Sequence, residues 1–155
     1  MSFQTGLQGA LFDLPRTVAL ATPLLKETPG GEHVSIEAGD ILSSSPRGKH
    51  DAALLRALVQ VLQPADVVRA IANGAGALRP GGTIYIAGGG ILDDDGLAPR
   101  AAVFLNVTFM NLYPAGASYT EAQHREWLCA AGCGDLRRIT LPSGGGIICA
   151  IKNEH

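Results

Sequence analysis

Aromatic residues make up only 5% of this 155-residue chain and charged residues only 17%. Twelve basic against fourteen acidic side chains leave a formal charge of −2, with no run of Lys or Arg. A phosphate backbone needs a concentrated positive field, so nucleic acid is not an expected partner. Cysteine is rare as well. Cys129, Cys133 and Cys149 form neither a CxxC pair nor a set with histidine at ligand spacing, which argues against a disulfide framework and against structural zinc. The expectation is reduced, mostly packed thiols and no metal. The apolar stretch from Val18 to Leu25 is far shorter than the ~20 residues that span a bilayer, and no basic segment precedes it. A soluble, cytoplasmic protein with no membrane partner is expected.

What the chain does have is apolar residues, at 46%, and turn formers, with twenty glycines and nine prolines. A chain of this length buries roughly 70% of its unfolded surface, so one domain with one core, residues 1–155, is the default. Leu7 to Phe12 predicts a short strand, and Pro15 suits the first turn of a helix running to about Glu27. Pro29-Gly30-Gly31 breaks that helix, His33 to Glu37 alternates like a strand, and Ala38-Gly39-Asp40 ends it. After a polar loop at residues 43–49, Asp51 to Leu55 reads as a buried parallel strand. Pro64 opens a helix with Val67, Val68, Ile71 and Ala72 on one stripe, loosened at Gly74 and Gly76. Arg79-Pro80-Gly81-Gly82 turns the chain into the strand Thr83 to Ala87. Arg100 to Tyr113 is almost continuously apolar and predicts a buried helix, and Thr120 to Ala131 a capped amphipathic one. Leu136 to Leu141 and Ile147 to Ile151 predict a closing hairpin across residues 142–146. This order favours an α/β layered sheet with parallel strands and a reversed edge strand.

None of the glycine clusters is a phosphate cradle. Gly48-Lys49 is followed by His50, with Ser43 where a P-loop needs its first glycine, and Gly88-Gly89-Gly90 leads into an aspartate turn rather than a helix. Asp13 ends a predicted parallel strand, where doubly wound sheets bind ligands and a carboxylate accepts ribose hydroxyls; capping the next helix is an equal alternative. Asp40 has the same two readings, ligand contact or turn. For His33, His50, His124 and His155, solvated or capping roles are expected. Trp127 and Leu128, and Met110 with Phe104 and Phe109, are assigned to the core.

Several motifs then occur in a familiar order: Gly9-Ala10-Leu11-Phe12-Asp13-Leu14-Pro15 before a helix, Ala38-Gly39-Asp40-Ile41, Asp51 to Arg56, Leu78 to Thr83, Ile91 to Gly96, and Thr120-Glu121-Ala122 leading to Ala130-Ala131-Gly132. The chain resembles the plant-type and bacterial secondary-metabolite O-methyltransferases, which use S-adenosylmethionine. The resemblance implies a class I methyltransferase-like (Rossmann-like) α/β fold, mostly parallel with an antiparallel terminal hairpin. It also implies that Asp13 holds the cofactor ribose, that Asp40 and Ile41 lie beside the adenine, and that Arg56 lies near the cofactor. Phe109, Met110 and Tyr113 would border the pocket of a small, aromatic natural-product substrate.

Departures from the family pattern accompany these matches. Relatives carry a central strand and a glycine loop before the segment matching Leu11 to Pro15, and this chain has only a few residues there. The expected consequences are impaired cofactor binding and a gap filled by direct strand pairing, by a second copy or by a partner chain. The family's catalytic histidine falls at Gln60, whose amide has no protonation change near neutral pH and cannot act as a base. The two supporting carboxylates fall at Gly88-Gly89-Gly90 and near Ser118. The sequence therefore predicts an O-methyltransferase-like protein of small-molecule biosynthesis that does not methylate alone. It would be repurposed, for example to cyclisation, hydroxylation or decarboxylation, or dependent on a partner. The alternatives are a fragment of an ordinary methyltransferase and a non-catalytic subunit that completes a partner.

Overall fold

The computed structural model describes residues 6–88, 90–141 and 145–154. The chain divides into two compact units, Met1–Pro46 and Arg47–His155.

The first unit is a single strand-helix-strand motif. Strand β1 (Gly9–Asp13) leads through Leu14 into helix α1 (Pro15–Glu27), and a 3₁₀ turn at Gly31–His33 delivers the chain to β2 (Val34–Ala38). Pro15 starts α1 because its missing N–H falls where a helix has no acceptor to offer. Strands β1 and β2 pair in parallel, Gly9 opposite Val34 and Asp13 opposite Ala38. No described residue of this unit is buried, and Leu20 on α1 is 67% exposed.

The second unit holds the core. Strand β3 (His50–Arg56) pairs in parallel with β4 (Leu78–Gly88), which pairs antiparallel with β8 (Gly146–Lys152), itself antiparallel to β7 (Cys133–Thr140). The sheet order is therefore β3-β4-β8-β7. Helix α2 (Pro64–Gly76) covers it with Val67, Ala70, Ile71 and Ala75, all buried. This corrects the expected stripe: Val68 and Ala72 face outward, one position out of phase. Gly74 does not loosen the helix either. It is buried where a Cβ would come within 3.1 Å of Leu55 Cδ1, so the glycine lets α2 approach β3 closely.

Strand β4 is longer than expected, because Pro80 and Gly81 lie inside it rather than before it. The turn survives as a local irregularity, with Gly81 at φ 76° and the β3–β4 register shifting between His50 and Ala52. Two short strands escaped the sequence pattern, β5 (Ile91–Leu92) and β6 (Tyr119–Thr120), which pair in parallel. Two residues are too few to show an alternation. Helix α3 (Arg100–Leu112) forms as predicted but is not buried; Ala102 alone of its residues is, and Met110 is 65% exposed. Phe104 and Met110 therefore do not belong to the core, whereas Trp127 and Leu128 do. Helix α4 (Glu121–Ala130) carries the expected cap: Thr120 Oγ1 accepts from Gln123 N at 3.2 Å and Gln123 Oε1 accepts from Thr120 N at 2.9 Å. The hairpin turn expected at residues 142–146 lies partly outside the described residues. The fold is α/β with mixed strand directions and, among the described residues, four α-helices.

Candidate functional site

In the first unit, Asp13 and Asp40 stand at the carboxyl end of a parallel strand pair. Asp13 closes β1 and its carbonyl accepts from Gly39 N at 2.9 Å, which ties it to the segment bearing Asp40 and Ile41. Asp13 does not cap α1. The cap residue is Leu14, and the Asp13 carboxylate accepts from Leu14 N at 2.7 Å. Asp40 accepts from Leu42 N at 2.9 Å, an Asx turn, and its carbonyl takes Ser43 N and Ser44 N. Gly39 is required here because a Cβ would run into the Phe12 ring.

A carboxylate offers about four lone-pair sites, and a backbone N–H occupies one at each aspartate. Two acceptor-only groups at one end of a parallel pair fit the hydroxyls and amine of a nucleoside, so these acceptors suit an S-adenosylmethionine ribose and adenine. When bound, that group supplies an electrophilic methyl. Among the described residues, no group of three or more His, Cys, Asp or Glu is placed to hold a metal.

The second unit contains Arg56, exposed at the end of β3, and Gln60, in the 3₁₀ turn Val59–Val61 that follows. Between them Ala57 adopts φ 53°, a conformation that bends the chain out of the sheet. Gln60 is held by its carbonyl, which accepts from Ala117 N at 3.1 Å, and its side-chain oxygen lies 2.9 Å from where a Cβ on Gly88 would sit. Gln60 borders a cavity of about 10 Å³ together with Val59, Ile86, Gly88, Ile91, Tyr119 and His124. Gly90, on the same cavity, has φ 103° and a Cβ there would strike Ser118 Oγ. Phe109 reaches the same corner, 3.1 Å from that hypothetical Cβ, while Met110 lies exposed on α3 and Tyr113 exposed just after it. Of the three expected acceptor residues, one therefore approaches Gly90, a glycine on the cavity's lining.

His124 corrects the sequence reading most. It is neither solvated nor a cap but 2% exposed, with Nδ1 2.8 Å from the Thr120 carbonyl and its ring 5.6 Å from that of Trp127. Burial pushes its pKa below the usual histidine value. The Arg138 charge acts the same way, and the Thr120 bond and Glu121 partly oppose both. Its position could have been read from spacing, since His124, Trp127 and Leu128 fall at i, i+3 and i+4 on one helical stripe. Tyr119 packs edge-on against Trp127 at 5.0 Å, and its hydroxyl donates to Leu62 O at 2.5 Å. Burial raises its pKa.

The other sequence candidates are structural or peripheral. His33 is exposed, and His50 begins β3 with Nε2 2.9 Å from Arg47 O; His155 lies outside the described residues. Cys129 is exposed, Cys149 half-buried and Cys133 buried, its thiol pKa raised by burial. Ser118, where a supporting carboxylate was expected, is buried, its N–H donating to Asn106 Oδ1 at 2.7 Å and its hydroxyl to Ala102 O at 3.3 Å. No helix among the described residues is long and apolar enough to cross a membrane.

The O-methyltransferase domain family matches residues 3–134. This chain belongs to that family. A 3-hydroxy-5-methyl-1-naphthoate 3-O-methyltransferase from Streptomyces sahachiroi is 28% identical over 148 residues, covering 94% of this chain and 42% of the relative. Among solved structures, the S-adenosylmethionine-dependent methyltransferase SibL in its apo form superposes with a TM-score of 0.84 at 25% identity, over 95% of this chain and 44% of that one. An O-methyltransferase family 2 protein from Planctomyces limnophilus, solved with apigenin, gives 0.82 at 23% identity over 94% and 43%. The chain thus spans less than half the length of each of these O-methyltransferase relatives.

Proposed function

We propose that residues 1–155 form the cofactor domain of an O-methyltransferase-type protein of small-molecule biosynthesis, one that does not transfer methyl groups alone. Asp13, Asp40 and Ile41 would hold the nucleoside of S-adenosylmethionine, with Arg56 near it. Phe109, Met110 and Tyr113 would border a small aromatic acceptor, the class named for the naphthoate-methylating relative. The protein would act in the cytoplasm.

The observation that carries this reading is Gln60. By the resemblance it would stand where relatives carry their base; its amide lies against Gly88 at the cavity, and an amide orients a hydroxyl by hydrogen bonding without taking its proton. Among the described residues β1 pairs with β2 alone and β3 with β4 alone, leaving each with one edge to which no described strand is paired.

The test is calorimetry with S-adenosylmethionine followed by incubation with labelled cofactor and a hydroxynaphthoate. Weak cofactor binding and no labelled ether are expected from the chain alone. Turnover in the usual enzymatic range, about 1 s⁻¹ or faster, would overturn the proposal.

A further inference from the structure

The cavity that carries Gln60 also carries a histidine from a different element, and the reading above gives that histidine no task. His124 projects from α4, Gln60 from the turn after β3, and both line the same cavity of about 10 Å³. That volume accommodates one water, which needs two to four polar partners to be held. The amide of Gln60 supplies both a donor and an acceptor. The Thr120 carbonyl, which can only accept, lies 2.8 Å from Nδ1 of His124, and in its neutral form a ring that donates through Nδ1 has an acceptor lone pair on Nε2.

We propose that this cavity is a single-water site joining the Gln60 amide to His124 Nε2, and that His124 is the proton acceptor of the residue-60 site. The inference rests on the reading that Gln60 faces the acceptor, and it supplies a proton acceptor without restoring methyl transfer by the chain alone, which the weak cofactor binding expected above still prevents. In the step it describes, a hydroxyl lying against Gln60 gives its proton to the water while the water gives one of its own to Nε2. One O–H bond breaks and one N–H bond forms, the water is regenerated, and the imidazole ends with one positive charge. Nδ1 keeps its proton on Thr120 throughout. The charged and titratable groups around the ring are Glu121 on its own helix, Arg138 from β7 and Tyr119 from β6. Glu121 Oε2 lies 3.5 Å from Arg138 Nη1, so the favourable and unfavourable charges are paired with each other. The burial that lowers the affinity of His124 for a proton keeps the ring unprotonated, and able to accept, at neutral pH.

The test needs neither cofactor nor acceptor. Nitrogen-15 spectra of the histidine rings in the whole chain, assigned with His124→Phe, are expected to show His124 as the Nδ1–H tautomer. They should also show cross-relaxation between water and its ring. In Gln60→Leu that cross-relaxation is lost and the His124 midpoint moves. In Gln60→Glu, which guards against a misfolded leucine variant, the carboxylate raises the His124 midpoint. An Nε2–H tautomer, no water contact, or a His124 indifferent to both substitutions would overturn the proposal. Failure of the methyltransferase reading would show only in the calorimetry and labelling described above.

Discussion

The two units of this chain are built from similar elements but hold them differently. In the first, a helix and two parallel strands leave every described residue at least partly exposed, with Leu7, Leu14, Leu20 and Leu24 all outward. In the second, α2, α4 and a four-stranded sheet enclose Val67, Ile71, Ile84, Leu128 and Ile148 almost completely. Burying a side chain of this size contributes about 1.5–3 kcal/mol. The second unit therefore carries its own stability, and a lone strand-helix-strand motif does not. Apolar surface alone does not fold a segment; it must have something to face.

The sharpest way to test that contrast is truncation within the core. Ile71→Ala should lower the unfolding free energy by about 2–5 kcal/mol, read as a fall in the urea midpoint of tryptophan fluorescence from Trp127. Leu20→Ala, on a residue 67% exposed, should stay within about 0.5 kcal/mol. A comparable loss at both positions would show that the first unit has a buried face in solution. Hydrogen exchange should follow the same divide, with β1 and β2 exchanging through low-energy local openings and β4 and β8 only through unfolding of the second unit. Equal protection would break the comparison outright.

A smaller effect is expected at the start of α4. Thr120→Ala removes the side-chain half of the capping box and should cost about 1 kcal/mol, visible only in the second unit's transition. The smallest is a pH dependence from His124. Its folded pKa is depressed, so between the folded and unfolded values the unfolded chain binds more protons and stability rises with pH. The contribution is full above about 6.5, the ordinary histidine value, and is lost as pH falls below it. His124→Phe should flatten that limb of a Tm-against-pH curve.

The sequence showed β1, α1, α2 and α4 clearly because each has a physical marker: Pro15 and Pro64 at helix starts, and the Thr120 box. It showed α3 as a helix but not its environment, since a continuously apolar run has no polar face to say which side meets solvent. It missed β5 and β6 because their short pairing depends on long-range contacts. For the candidate site, the places of Asp13 and Asp40 at or just after their strand ends were legible from the turn residues there, whereas their ligand roles and that of Gln60 rest on the family resemblance. The Gln60–His124 neighbourhood was not, because 64 positions separate the two residues and only the packing of α4 on the sheet brings them to one cavity.

Strand β8 lies inside its sheet, with β4 on one side and β7 on the other, although it follows every other described strand in sequence. On a ribosome, β3, β4 and their covering helix emerge first, but β4 keeps an unfilled edge until residues 146–152 are made. Folding of this unit therefore waits until residues 146–152 are made, and a chain stalled before them would expose β4 to any other strand with matching alternation.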